Sequence, residues 1–207
     1  DQDNALIVRD GVDVEKYRPY MQKITDALVF LGYPPCEGNI MVSNPDWCKS
    51  YLNFKNDISR WLGTQDMKNF LDLAIFTDSF SVAGDKQMLI DLKEFLYSKV
   101  QNDIFMAYFA KSTTAFETPT TISSFMGKDN FINIKKAAIF PIVHGIRSLA
   151  LKEKIKETTT IKRIQILEQR KILDKDRAAE LLEALEIVNT LRLRHQIDLL
   201  QQNKPLS

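Results

Sequence analysis

The hydrophobic and polar positions at the start of the chain predict a strand that is followed by a helix. Residues 5–8 form a short apolar run, which ends at the turn Arg9-Asp10-Gly11 and is typical of a strand. Beyond Asp13, a candidate N-cap, apolar residues recur at spacings of three and four as far as Gly32, a favourable helix end; they are Val14, Tyr17, Met21, Ile24, Leu28 and Leu31. This spacing predicts a helix with one buried face.

The middle of the chain continues an α/β pattern. A loop rich in proline and glycine covers residues 32–47, and an apolar face predicts a helix over 46–62. Residues 73–76 are a short apolar run closed by Thr77 and Asp78, which predicts a buried second strand. Asp85 is then expected to cap a helix that includes residues 88–96.

Beyond about residue 100 the pattern becomes helical. A helix is predicted over 104–109, a connector over 118–124 and a short hairpin over 125–134. Three helices follow, at about 137–154, 159–169 and 175–202. The predicted fold class is therefore α+β, with an α/β domain over 1–98 and a mainly helical domain over 99–207.

Composition narrows the class of protein. The 28 Lys and Arg and the 27 Asp and Glu nearly cancel, so neither nucleic acid nor an anionic membrane is expected as a partner. The longest apolar runs are far shorter than the ~20 residues that span a bilayer. Cys36 and Cys48 form no CxxC pair, which favours a reducing, cytoplasmic location. The start, DQDNALIV, has no Met, so we expect the chain to be a piece of a longer protein.

Three aspartates are candidates for metal chemistry. Asp1 and Asp3 form a D-x-D motif before the first strand, and the period of two places both carboxylates on one face, where they could hold Mg²⁺. Asp78, at the end of the second predicted strand, could be a third carboxylate for phosphoryl or nucleotidyl transfer. The alternative is that the first two lie in a solvated turn and that Asp78 only closes a strand.

The chain resembles a known family in the order of its motifs. DQDNALI, GYPPCEGNIMVSNPDW, IFTDSFSVAGD, INIKKAAIFPIVHGIRSLAL and LRLRHQ occur as in bacterial nucleotidyltransferases that accompany CBS-pair and cyclic-nucleotide-binding domains. Those proteins are similar to the PII uridylyltransferase group of the DNA polymerase β-like superfamily and end in a helical substrate-binding domain. The resemblance implies a signal-transduction module that uses Mg²⁺ and transfers a nucleoside monophosphate from a nucleoside triphosphate to an acceptor hydroxyl, with a protein as one possible acceptor.

The resemblance also assigns residues. Asp1 and Asp3 match the metal-binding pair, and Asp78 matches the third, catalytic carboxylate. The family's glycine-serine turn precedes the aspartate pair, so the chain as given is not expected to be a competent enzyme. Phe80 stands where relatives commonly carry Arg, and Asn133 where an acidic residue is common. These departures favour the alternative of a catalytically inactive nucleotide-sensing or protein-interaction module; a purely helical scaffold is a third class.

Several residues of the helical part are candidates for contact with phosphate or for structural roles. Arg147, Arg192 and Gln196 approach apolar helix faces, so a buried polar network explains them at least as well as ligand binding does. Lys135 is a further candidate for a phosphate contact at a helix start. His144 and His195, the two histidines of the chain, have apolar helix neighbours, which favours a structural role.

Overall fold

Two units make up the computed structural model, which describes residues 2–64, 66–100, 103–112 and 133–204. Unit 1 comprises residues 1–63 and 80–99, and unit 2 comprises residues 64–79 and 100–207. The connector predicted at 118–124 and nearly all of the hairpin predicted at 125–134 lie outside the described residues. The division into domains at 98/99 stays a prediction.

The described residues are mostly helical and include a small parallel sheet, which agrees with a mixed α+β class. In chain order they form β1 (Leu6–Val8), α1 (Arg18–Phe30), β2 (Cys48–Ser50), α2 (Tyr51–Gly63), α3 (Met67–Asp78), α4 (Lys86–Lys99), α5 (Asp103–Lys111), α6 (Phe140–Lys152), α7 (Thr160–Gln169) and α8 (Lys175–Gln201), with 3₁₀ turns at Val14–Tyr17 and Pro45–Trp47 and a π-helical segment at Lys135–Ile139. None of these helices is both long and apolar enough to cross a membrane.

The first strand and helix of unit 1 confirm the prediction from sequence. Strand β1 pairs in parallel with β2, and Leu6 lies opposite Cys48. The Asp13 carboxylate accepts a hydrogen bond of 3.2 Å from the Glu15 amide, so it caps the 3₁₀ turn that leads into α1. Gly32 ends the helix at a φ of 94°, a conformation that residues with a Cβ rarely adopt.

The residues before β1 form hydrogen bonds with the loop that follows α1. The Asn4 amide donates to the Ile40 carbonyl at 2.9 Å, and the Asn4 side-chain oxygen accepts from the Val42 amide at 2.8 Å. Buried Gln2 donates its side-chain amide to the Tyr33 carbonyl at 3.2 Å. The D-x-D region is thus attached to the loop by both backbone and side-chain hydrogen bonds.

The predicted helix over 46–62 begins later than expected, because β2 occupies residues 48–50. Helix α2 starts at Tyr51 and buries Phe54, Ile58 and Trp61 along one face, as the apolar spacing predicted. The ring of Trp61 stacks on Trp47, with 6.2 Å between the ring centroids. This face is therefore part of the buried interior of unit 1.

The second predicted strand, over 73–76, is wrong, because these residues lie in helix α3. The carboxylate of Asp66 caps the helix by accepting from the Asn69 amide at 3.2 Å. The buried positions Phe70, Leu73, Ala74 and Thr77 recur with the helical period. Phe70 packs edge-on against Phe105 and Phe109 of α5, so α3 belongs to unit 2.

The helices predicted for the rest of the chain are confirmed. In unit 1, Asp85 accepts from the Gln87 amide at 3.0 Å and caps α4 as expected. In unit 2, helices α5 to α8 occupy the predicted segments within a few residues. Buried apolar side chains of α6, α7, α8 and the connector between α6 and α7 form one core cluster, whose members are Ile146, Ala150, Ile155, Ile164, Leu167, Ala178 and Leu185. This core holds α6, α7 and α8 together and fixes the polar side chains on their inner faces.

Candidate functional site

A cluster of charged side chains in unit 2 is centred on Asp78, the last residue of α3. Its Oδ2 accepts from Nε and Nη2 of Arg147 on α6, at 2.9 and 2.5 Å. Its Oδ1 accepts from Nη1 of Arg163 on α7 at 2.6 Å. The side chain of Asp78 is 29% exposed, that of Arg147 14% and that of Arg163 0%. One carboxylate thus joins three helices and faces two guanidinium groups.

Arg163 was not singled out by the sequence analysis, although it is the most buried charge of the cluster. Its Nε donates to the Glu157 carbonyl at 2.7 Å, which fixes the guanidinium plane. Its Nη2 is buried and has no hydrogen-bond partner among the described residues. Arg163 lies four residues before buried Leu167 and therefore on the apolar face of α7. A charged residue on an apolar helix face was the sequence feature that could have identified it.

His144 extends the cluster from α6 toward α5. Its Nε2 lies 2.9 Å from the Phe109 carbonyl oxygen, and its Nδ1 lies 3.1 Å from Nη1 of Arg147. A carbonyl can only accept and a guanidinium can only donate, so Nε2 carries the hydrogen and Nδ1 is the acceptor. Burial, with added repulsion from Arg147, lowers the pKa of His144 below its usual value. The imidazole is therefore neutral at pH 7.

Ser112 lies beside His144 but is not an activated nucleophile. The Oγ of Ser112 is 2.8 Å from His144 Nε2 and donates to the Phe109 carbonyl at 2.6 Å. Because Nε2 already carries a hydrogen, it has no lone pair with which to take the serine proton. This arrangement satisfies buried polar groups and does not match a serine–histidine catalytic pair.

In unit 1, the structure describes Asp3 but not Asp1. Asp3 is exposed and immediately precedes the segment that leads into β1. Burial raises the pKa of the Cys36 thiol, and a hydrogen bond to Asp3 raises it further. The thiol is thus a protonated neighbour of this carboxylate at neutral pH, and the metal-binding role of Asp3 stays a prediction.

The three-carboxylate site stays a prediction. Asp1 lies outside the described residues, and Asp78 ends a helix rather than a strand. Within the part of the chain that the structure describes, no three His, Cys, Asp or Glu side chains come together as a metal-binding group. The oxygens of Asp78 are both used by arginine donors, which is a role that the sequence did not predict.

The remaining candidate residues of unit 2 lie outside the Asp78 cluster. Lys135 places its Nζ 5.5 Å from the centre of the Phe140 ring. Arg192 and Gln196 are half-buried on the inner face of α8, as their spacing predicted, but neither makes a hydrogen bond with any described residue. Of the predicted network, only Arg147 is part of a buried polar cluster here. His195 is exposed.

Comparison with known proteins identifies the family. The family described as putative nucleotidyltransferase matches residues 1–68. The family described as putative nucleotidyltransferase substrate binding domain matches residues 103–207, just over half of the chain. The chain therefore belongs to the family described as putative nucleotidyltransferase substrate binding domain, and its N-terminal third is similar to the putative nucleotidyltransferase family. No curated protein and no solved structure matches the chain.

Proposed function

We propose that the protein is a Mg²⁺-dependent nucleotidyltransferase whose unit 2 binds the substrate. The observation that carries the proposal is that both ends of the chain match nucleotidyltransferase-related families, residues 1–68 the putative nucleotidyltransferase family and residues 103–207 the putative substrate binding domain. In the proposed reaction, the oxygen of an acceptor hydroxyl attacks the α-phosphorus of a nucleoside triphosphate. The bond from the α-phosphorus to the bridging oxygen breaks, pyrophosphate leaves, and the hydroxyl proton passes to a base.

The predicted metal ligands differ in how well they suit a cation. Asp3 is exposed, and its carboxylate can combine with that of Asp1 in a D-x-D pair. The two oxygens of Asp78 accept from Arg147 and Arg163, so a cation there would face two positive groups. We therefore assign Mg²⁺ to Asp1 and Asp3. When bound, the ion would neutralise and orient the triphosphate.

The arginine cluster supports a substrate role for unit 2. Two guanidinium groups and one carboxylate leave one positive charge in excess, because His144 is neutral. Arg163 also retains a buried Nη2 for which no described residue supplies an acceptor. An excess of buried positive charge is costly unless an anion offsets it, and Arg147 is partly exposed at the edge of the cluster. An anionic group of the substrate is the partner that these features suit.

The family resemblance extends the proposal to the cellular setting. We propose a cytoplasmic module of a bacterial signal-transduction protein in which CBS-pair or cyclic-nucleotide-binding domains regulate the transfer. The acceptor hydroxyl would then belong to a protein. Coupling of this kind would make transfer depend on the ligand state of the regulatory domains.

A transfer assay tests the proposal on the protein in its native length, with any residues that precede Asp1. We expect Mg²⁺-dependent release of pyrophosphate from a nucleoside triphosphate, and loss of this activity in Asp3→Asn, because asparagine keeps the shape but not the charge. Asp26→Asn, an exposed aspartate on α1, is the matched control and should retain activity. Equal turnover with and without Mg²⁺, or in Asp3→Asn, would contradict the assignment.

The second candidate is a nucleotide-sensing module without transfer. The pairing of Asp78 with two arginines favours it, since the residue matched to the catalytic carboxylate is engaged elsewhere. Phe80, in place of the common arginine, is 72% exposed. This candidate predicts saturable triphosphate binding with no pyrophosphate release, so the same assay combined with calorimetry separates the two.

A further inference from the structure

The turn that begins at Cys36 lies beside Asp3, one of the two residues to which Mg²⁺ is assigned above. Gln2 and Pro35 form a parallel bridge between the start of the chain and the loop after α1. In parallel pairing the next residues along the two segments are also neighbours, and here these are Asp3 and Cys36. Asn4 bonds to the same loop a few residues further along. Backbone pairing on both sides of Asp3 therefore keeps it next to this cysteine.

The turn itself fixes the position of the cysteine sulfur. The Cys36 carbonyl accepts from the Asn39 amide at 2.9 Å, which closes the turn, and Asn39 adopts a φ of 55°. The backbone amides of Gly38 and Ile40 donate to the sulfur of Cys36. A Cβ added at Gly38 would lie 3.6 Å from this sulfur, so the side chain is folded back onto its own turn. The sulfur is thus held by backbone groups.

The hydrogen of the thiol is directed at the Asp3 carboxylate. An unperturbed thiol keeps its proton at neutral pH, so the S–H group donates and the carboxylate accepts. Asp3 is exposed, whereas Cys36 is half-buried. No other hydrogen bond to the Asp3 carboxylate is formed by the residues that the structure describes. The thiol is therefore the group that restricts rotation of this side chain.

We infer that the Cys36 thiol is a positioning group, which holds the Asp3 carboxylate in one orientation before Mg²⁺ binds. An exposed aspartate otherwise exchanges among rotamers, and a metal ion that binds it must arrest this motion. Hydrogen-bond partners of ligating side chains remove part of that cost. The sulfur is not expected to bind the ion itself, because Mg²⁺ prefers oxygen ligands. The inference rests on the proposed function, since it takes Asp3 as a ligand.

Two substitutions at Cys36 separate hydrogen bonding from packing. Mg²⁺ would be titrated by calorimetry against the protein in its native length, with any residues that precede Asp1. Cys36→Ala removes the donor and should weaken Mg²⁺ binding about tenfold or more, whereas Cys36→Ser keeps a donor on the same Cβ and should bind as the parent does. Cys48→Ala is the matched control, because it removes the other thiol, which packs with Met21 and Val42, and it should retain the parent affinity.

A second measurement, on the metal-free protein, tests the orientation of Asp3 directly. The NMR couplings between Hα and Hβ of Asp3 should report a single rotamer in the parent and in Cys36→Ser, and averaging among rotamers in Cys36→Ala. Circular dichroism verifies that each variant folds. Averaged couplings in the parent, unchanged couplings in Cys36→Ala, or equal Mg²⁺ affinity in Cys36→Ala and the parent would overturn the inference. A parent that binds no Mg²⁺ would contradict the proposed function, and the couplings would still decide the inference.

Discussion

Asp78 and Arg163 form an ion pair of 2.6 Å between residues that are 85 positions apart in the sequence. The guanidinium is fully buried and the carboxylate is shared with Arg147. Asp78 therefore couples α3 to α6 through Arg147 and to α7 through Arg163.

Replacement of Asp78 by Asn should destabilise unit 2. The amide keeps the shape but leaves two guanidinium groups facing each other without a carboxylate. We expect a loss of about 2–4 kcal/mol in the free energy of unfolding, less than for a wholly buried pair because Asp78 is partly exposed. Asp198→Asn, an exposed control on α8, should change it by no more than about 0.5 kcal/mol. Urea titration measures both, and matching midpoints would contradict the role given to Asp78.

The two arginines that the sequence analysis grouped together should behave differently. Arg147→Ala removes three hydrogen bonds and leaves Asp78 and His144 with fewer donors, so we expect a loss of about 2–4 kcal/mol. Arg192→Ala removes no hydrogen bond to a described residue and should cost less than about 1 kcal/mol. Denaturant midpoints of the two variants are the measurement. Equal losses of unfolding free energy in the two variants would show that Arg192 also belongs to a buried polar network.

The stability of the protein should fall on acidification partly through His144. Because burial holds its folded pKa below the 6.5 of an unfolded histidine, the unfolded chain takes up the proton first as pH falls through 6.5. Stability from this residue is complete above pH 6.5 and declines until the folded pKa is reached. His144→Gln should show a shallower decline between pH 7 and 5 in urea titrations, with His195→Gln as control. An unchanged slope in His144→Gln would contradict the prediction.

Removal of the Asn4 side chain should release the loop that follows α1. Asn4→Ala leaves the Val42 amide without its acceptor, and we expect a loss of about 1–2 kcal/mol. Hydrogen exchange should accelerate at Val42 in particular, while amides of unit 2 keep their rates. Asn189→Ala, which changes an exposed side chain on α8, serves as the control. Protection of Val42 that survives in Asn4→Ala would show that the loop is held by other contacts.

Local sequence patterns were sufficient to predict most helices, but they did not predict every element correctly. The spacing of apolar residues in α2 and the caps at Asp13 and Asp85 were predicted and are confirmed. The apolar run at 73–76 was assigned to a strand, although the recurrence of buried residues from Phe70 to Thr77 carries the helical period. Strand β2, only three residues long, had no detectable alternation and was missed.

The polar cluster could not be predicted because its members are distant in sequence. Asp78 reaches Arg147 across 69 positions and Arg163 across 85, and no local rule selects one arginine over another at such separations. A buried polar network was one of the two roles predicted for Arg147, whereas Asp78 was assigned to a metal site. Only packing of α3 in unit 2 reveals that the two residues meet.

The place of α3 in unit 2 has a consequence for dissecting the protein. The chain passes from unit 1 to unit 2, back through residues 80–99, and again to unit 2, so neither unit is one continuous stretch. A cut at 98/99 would leave Asp78 on one fragment and both of its arginines on the other. The C-terminal fragment would then carry two buried guanidinium groups without their carboxylate, and it should gain stability when residues 64–79 are supplied in trans.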